Sequence, residues 1–202
     1  MRMAKLFIIS ASSGAGKTSV INGFLEKLGN QGIYERIVTY TSRSRRKGEH
    51  NTIDYMFISS QEFLEKIAQG FFIEWSEAYG NYYGSPRLLL DRLALGISCF
   101  IIVDHAGAQR LAAVVPQAIK IWITVSLELL RQRLKQRGTE SEIIIEQRLR
   151  LARQEQEQAL SKETYDYYIM NDQTLEQAVT ILESIVQKED EKGTKKLQKH
   201  GQ

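Results

Sequence analysis

The chain has 202 residues, 43% of them hydrophobic and 25% charged, a globular composition of one-domain size that can bury roughly 70% of the unfolded surface. Two prolines and 14 glycines exclude a collagenous or low-complexity protein, and one cysteine excludes an intramolecular disulfide framework, so a reducing compartment, the cytoplasm, is expected. With 27 basic against 24 acidic residues the formal charge is only +3, too balanced for a general nucleic-acid binder, so functional positive charge must be local.

The first apolar run, Leu6-Phe7-Ile8-Ile9, is shorter than the roughly 7–15 residues of a secretory leader, so no export is implied and the run reads as a buried strand. After a Ser/Gly-rich turn, Val20, Ile21, Phe24, Leu25 and Leu28 recur at helical spacing up to Gly29. The continuous runs Cys99 to Val103 and Lys120 to Val125 repeat the pattern of a buried parallel strand followed by a polar turn and a helix. None approaches the ~18 residues of a membrane helix, so a soluble protein with no membrane partner is expected. Between them, residues 37–85 alternate at Tyr55-Met56-Phe57-Ile58 and carry many aromatic and charged side chains, which reads as an inserted α+β subdomain. Ser126 is a candidate N-cap for a helix with Leu127, Leu130 and Leu134 on one stripe, ending at Gly138. Thr139 and Glu142 have capping-box spacing for a second helix carrying Ile145, Leu149, Ala152 and Ala159 to about Leu160. Tyr165 to Met170 reads as a last strand, and Leu175, Ala178, Val179, Leu182 and Val186 as a closing amphipathic helix. The lysine-bearing tail, residues 191–202, is expected to be disordered.

Ser12-Ser13-Gly14-Ala15-Gly16-Lys17-Thr18 lies between the first strand and its helix and matches most of the phosphate-binding loop G-x-x-x-x-G-K-[ST], with Ala11 in place of the first glycine. The glycines let successive N–H groups face one concavity, the helix N-terminus adds about half a positive charge, Lys17 can reach the outer phosphates, and Thr18 can offer a hydroxyl to Mg²⁺. A fragment of this kind arises by chance in on the order of one chain in a hundred, and its place after a buried strand favours a nucleotide-triphosphate site. Further on, Arg43-Ser44-Arg45-Arg46-Lys47 on its own fits a solvated loop or a small nucleic-acid patch. With Glu49, Tyr55 and Tyr82-Tyr83 following, it also has the arginines and phenols needed to hold a compact phosphate, and so points to a second phosphorylated substrate.

From about Leu6 to Val186 the chain resembles the guanylate kinases, which pass the γ-phosphate of ATP to GMP. The resemblance rests on Ser13 to Thr18, Thr41-Ser42-Arg43 with Arg46, Gly48 and Glu49, and Phe72-Ile73-Glu74-Trp75. It also rests on Gly80 to Ser85, Arg137-Gly138-Thr139-Glu140, Arg148 and Asn171-Asp172. It implies an α/β fold: a P-loop NTPase core with a parallel sheet flanked by helices (residues 1–36, 86–125 and 163–190), an inserted nucleotide-monophosphate-binding subdomain (37–85) and a helical lid (126–162). ATP would sit on Ser13, Gly14, Ala15, Gly16, Lys17, Thr18 and Ser19, with Asn171 near its adenine and Mg²⁺ on Thr18. Arg43, Arg46, Tyr55 and Tyr83 would hold the GMP phosphate, with Glu49 orienting the arginines, while Thr39, Glu74, Ser85 and Asp104 face guanine. Lid residues Arg133, Arg137 and Arg148 would neutralise the transferring phosphoryl group, with Lys17 and Arg43 also serving catalysis.

The chain departs from the family where a carboxylate is usual two residues before Asp104 and Ile102 stands instead, which predicts weaker metal binding or slower turnover. Thr39 stands for the more usual serine, and His105 reads as a structural residue rather than a general base. A catalytically impaired binding module of the same fold is the main alternative, opposed by Lys17, Thr18, Arg43, Arg46 and Arg137. A kinase of a sugar phosphate is opposed by Glu74, Tyr83 and Ser85. A homo-oligomer is compatible with the sequence.

Overall fold

The computed structural model describes residues 3–12, 14–29, 32–46, 48–78, 80–138, 141–161 and 164–199. In chain order the elements are β1 (Leu6–Ala11), α1 (Lys17–Leu28), β2 (Tyr34–Ile37), β3 (Tyr40–Thr41), β4 (Met56–Phe57), α2 (Ser60–Ala68), β5 (Phe72–Ala78) and β6 (Asn81–Pro86). They continue as α3 (Leu88–Ala94), β7 (Ser98–Ile102), α4 (His105–Val114), β8 (Ile119–Thr124), α5 (Leu127–Arg137), α6 (Glu142–Ser161), β9 (Tyr167–Met170) and α7 (Leu175–Lys199).

Five strands form a parallel sheet in the order β2-β7-β1-β8-β9. The apolar runs predict this, because a parallel strand covered on both faces has no solvated side on which to alternate. Thus Phe7 and Ile9 of β1 join Phe24, Phe100 and Ile121 in one cluster beneath α1 and α7, while Leu6 and Ile8 join Ile101, Leu89 and Leu111 on the opposite face beneath α3 and α4. Each of these fully buried Leu, Ile and Phe side chains is worth about 1.5–3 kcal/mol relative to exposure. The single Cys99 belongs to this core, and burial pushes its thiol up to about 12, which leaves it unreactive.

A second sheet, β4-β3-β6-β5, is built entirely from the stretch between β2 and α3. Its β6 runs antiparallel to both β3 and β5, with Thr41 opposite Tyr83 and Glu74 opposite Ser85. Tyr83 and Ser85 are two apart and therefore share a face, and Tyr82 and Gly84 occupy the other. On that other face Phe63, Phe72 and Tyr82 stack, and a Cβ on Gly84 would come within 2.8 Å of Phe72 and 2.9 Å of Phe63, so only glycine fits. α2 starts with a full capping box between Ser59 and Glu62, a signal present in the sequence.

Ser126 caps α5 and Gly138 ends it in the left-handed conformation, as the spacing predicts. The expected Thr139 cap lies outside the described residues, and α6 runs from Glu142. α7 runs to Lys199, through most of the stretch 191–202 expected to be disordered, whose last three residues lie outside the described ones. Tyr34 donates to Asp190 at 2.6 Å, and Glu189 accepts from Tyr167 and Lys192, which tie the charged part of the helix to the sheet. Among the described residues no helix is long and apolar enough to cross a membrane.

Candidate active site

β1 lies between β7 and β8, so its neighbours enter the sheet from opposite sides, and the crevice outside the carboxyl end of such a strand is where open α/β sheets bind ligands. The glycine-rich loop fills that position, from Ala11 at the end of β1 to Lys17 at the start of α1. Gly14 and Gly16 have φ of 98° and 90°, the left-handed region where a side chain is strained. A Cβ on Gly16 would also lie 2.6 Å from Asn171 Nδ2, and one on Gly14 would lie 2.8 Å from Leu130 Cδ1. The first turn of α1 has no acidic residue and no side-chain cap, so its dipole and free N–H groups remain available to an anion. Lys17 Nζ donates to the carbonyls of Ala11 at 2.9 Å and Ser12 at 3.3 Å, folding the ammonium back over the loop. Burial lowers its pKa to about 8, against the nearby carboxylates of Glu155 and Asp104. Thr18 is half-buried and Ser19 exposed, both in the first turn, while Ser13 lies outside the described residues.

The two lid helices pack directly on this loop: Ala15 is buried against Leu130, Leu134, Ile145, Leu149 and Ala152. Arg133 Nη2 donates to the carbonyl of Asn171 at 2.9 Å, and Asn171 Nδ2 donates to the carbonyl of Ala15 at 2.7 Å. Asn171, 4% exposed, is thus a brace under the loop, where the resemblance implies a place beside adenine. Its position just past the carboxyl end of β9 turns its amide inward, because a buried amide without a partner is costly. Arg148 is half-buried on α6, and the side chain of Arg137 lies outside the described residues.

One residue of this site escaped sequence reasoning. Glu155, on α6, hydrogen-bonds Ser12 and faces Lys17 and Asp104, while Ser12 Oγ also donates to the carbonyl of Ala152, three residues before it. Burial raises the Glu155 carboxyl above its ordinary value, opposed by Ser12 and Lys17. A signal existed: the buried stripe Ile145, Leu149, Ala152, Ala159 is interrupted by Glu155 and Gln156, and polar residues on a packed stripe need a partner. The missing carboxylate at 102 has its own cause in the structure, since Ile102 packs against the apolar cluster under α1.

The small sheet supplies a second polar cluster. The Arg43 guanidinium makes a two-pronged ion pair with Glu49, Nη1 to Oε2 at 3.0 Å and Nη2 to Oε1 at 2.8 Å, and lies 5.6 Å from the Tyr55 ring centroid. Burial pushes the Glu49 carboxyl up, but the bonds from Arg43 and from the Arg46 amide (2.8 Å) prevail and hold it below its ordinary value. Tyr55 and Tyr83 pack edge to face at 6.3 Å, and burial raises the Tyr55 phenol, which keeps it a donor. Arg46 joins this cluster through its backbone, with its side chain exposed. On the same face as Tyr83, Ser85 Oγ donates to Glu74 Oε1 at 2.6 Å, with Glu74 9% and Ser85 0% exposed. Thr39 is buried and its carbonyl accepts from the amide of Met56 at 2.8 Å.

Asp104 joins the two halves. It caps α4 by accepting from the amide of Gly107 at 2.6 Å, and its charge acts on Lys17 in the phosphate loop and on Glu74 in the small sheet. The expectation that His105 is structural agrees with its bond to the Tyr165 hydroxyl at 3.0 Å.

Comparison with known proteins gives this geometry its family. The guanylate kinase family model matches residues 3–189. The guanylate kinase of Dechloromonas aromatica is 39% identical over 183 residues, covering 90% of this chain and 87% of that protein. That of Nitrosomonas europaea is 40% identical over 189 residues, covering 93% and 90%. The crystal structure of guanylate kinase from Anaplasma phagocytophilum superposes with a TM-score of 0.72 at 29% identity, covering 94% of this chain and 88% of that one. A glycine-rich loop at the crevice of the parallel sheet, a second sheet with an arginine cluster and a buried carboxylate, and a match over nearly the whole chain lead to one conclusion: the chain belongs to the guanylate kinase family, the ATP:GMP phosphotransferases.

Proposed function

We propose that the chain passes the γ-phosphoryl group of ATP to GMP with the phosphate loop as the donor site and the small sheet as the acceptor site. The observation that carries this reading is the position of Asp104, whose carbonyl accepts from Ser10 of β1 at 3.4 Å and whose charge acts on both Lys17 and Glu74. The triphosphate takes the N–H groups from Gly14 to Ser19 and draws the Lys17 ammonium off the carbonyls of Ala11 and Ser12. The GMP phosphate takes the outer faces of Arg43 and Arg46 and the hydroxyls of Tyr55 and Tyr83. Glu49 holds Arg43 in place. Glu74 accepts from guanine N1–H and N2–H, a pattern adenine cannot supply because its N1 carries no proton and it has no 2-amino group.

No catalytic base is required for phosphoryl transfer, which depends on alignment and on neutralising charge. Lid closure brings Arg133, Arg137 and Arg148 over the phosphates and excludes water that would otherwise accept the phosphoryl group. The Thr18 hydroxyl in the first turn of α1 is an oxygen donor, which suits Mg²⁺ that would be held mainly by phosphate oxygens and water. Among the described residues there is no cluster of three or more His, Cys, Asp or Glu able to cage a cation. When bound, Mg²⁺ neutralises charge on the β- and γ-phosphates. The reading places the reaction in the cytoplasm.

Replacing Arg43 with glutamine tests the acceptor site. GMP affinity, measured by calorimetry, is expected to fall about 10–100-fold through loss of charge-assisted bonds, with ATP affinity unchanged. Unchanged GMP affinity would remove Arg43 from the phosphate site.

A further inference from the structure

Glu74 has a second partner that the site description leaves without a role. Arg110, on α4, donates from Nε to Glu74 Oε2 at 3.1 Å, while its Nη2 is closed off from solvent and has no hydrogen-bond partner in the protein. Nε–H and one Nη–H project from the same edge of a guanidinium, so the orphaned donor lies next to the carboxylate. A buried N–H without an acceptor is destabilising by about 1–3 kcal/mol, and natural structures keep few of them.

We propose that Arg110 is a positioning residue of the acceptor site, holding Glu74 as an ionised acceptor for the guanine edge. This rests on the reading of Glu74 as the base-selecting group. An ionised carboxylate has two acceptor sites on each oxygen. Ser85 takes one on Oε1 and Arg110 one on Oε2, which leaves one on each for N1–H and N2–H of guanine. An ionised Glu74 offers acceptors only, which suits the two N–H groups of guanine, whereas adenine N1 is itself an acceptor and finds no donor there.

The charge balance around Glu74 agrees with this. Burial raises its carboxyl above its ordinary value, and the bonds from Ser85 and Arg110 together with the Arg110 charge oppose the rise. Asp104, at the start of the same helix, adds to it. Arg110 is thus the cation that keeps Glu74 an acceptor. A protonated Glu74 would present a donor to guanine N1–H.

The test uses kcat/KM for GMP, IMP and AMP across pH in the full-length protein, for Arg110→Gln, Arg110→Lys and Glu74→Gln. Arg110→Gln should lower kcat/KM for GMP and IMP together, on the order of 10–100-fold, because both carry N1–H, and should lower AMP less. Its acid limb for GMP should move to higher pH, and Arg110→Lys should restore the limb while recovering only part of the GMP-to-AMP ratio. KM for ATP, read in the same assays, should be unchanged, which separates loss of base reading from loss of fold. Wild-type acid limb and wild-type GMP-to-AMP ratio in both Arg110 variants would overturn the inference. If Glu74→Gln also keeps the wild-type ratio, the reading of Glu74 fails with it; if only the Arg110 variants do, that reading stands and Arg110 alone is excluded.

Discussion

Lys17→Ala is expected to reduce kcat by about 10³-fold or more while GMP affinity stays at its wild-type value. Lys17 is the one ammonium the structure buries in the phosphate loop among the described residues, and its two contacts are carbonyl oxygens of that loop at 2.9 and 3.3 Å. Carbonyls are weaker partners for a cation than phosphate oxygens, so the resting contacts exchange readily for the triphosphate. The acceptor cluster belongs to a different sheet and keeps its own hydrogen bonds, which is why GMP binding is insulated. A pH profile makes the same point in the unmodified protein. With the Lys17 pKa lowered to about 8, the phosphate-holding charged form is present below that value and lost as pH rises through it. kcat/KM for ATP, which reports the free protein, should therefore decline above about pH 8. The decline in kcat should come at higher pH, because bound triphosphate stabilises the ammonium. A GMP affinity that collapses in Lys17→Ala would mean that the two sites are not separable.

The second large effect is on base choice. Glu74→Gln keeps the shape of the side chain and exchanges one acceptor oxygen for an NH₂ donor. In either orientation the new NH₂ faces an N–H of guanine on the ligand side, and in one of them it also faces the Arg110 guanidinium on the protein side. Sites built to pair polar groups reject mismatches by large factors, so kcat/KM for GMP should fall on the order of 10²–10⁴-fold while that for AMP changes little. Parallel kinetics on the two acceptors check this, and an equal fall for both would mean that Glu74 supports the fold rather than reads the base.

The parts of the molecule legible in the sequence are those where one local pattern has one physical solution. Leu6 to Ile9 and Cys99 to Ile102 are continuous apolar runs because both faces of their strands are covered, and Gly14, Gly16, Lys17 and Thr18 announce the loop between the first strand and α1. The alternation at Tyr55 to Ile58 marks the strand Met56–Phe57, whereas Tyr40–Thr41 carries no periodicity and is defined by pairing across the chain. The same limit hides Arg110. Between Gln109 and Leu111 it reads as a solvated helix residue, and its partner Glu74 is 36 positions away. Asn171 has a partner that its sequence context does not announce, since its amide is bound to the phosphate loop at Ala15. The closing helix carries contacts that its charge pattern does not announce: tyrosines on β2 and β9 bond Asp190, Glu189 and Lys192.

The measurement that tests the account most directly is ADP release from Mg²⁺-ATP in a coupled assay with GMP, with AMP and with no acceptor. Rapid turnover with GMP alone is the predicted result, and it would show that Ile102 is tolerated where a carboxylate is usual. GMP binding by calorimetry with no turnover, or equal turnover with GMP and AMP, would contradict it: the first leaves a binding module, and the second removes Glu74 from base selection.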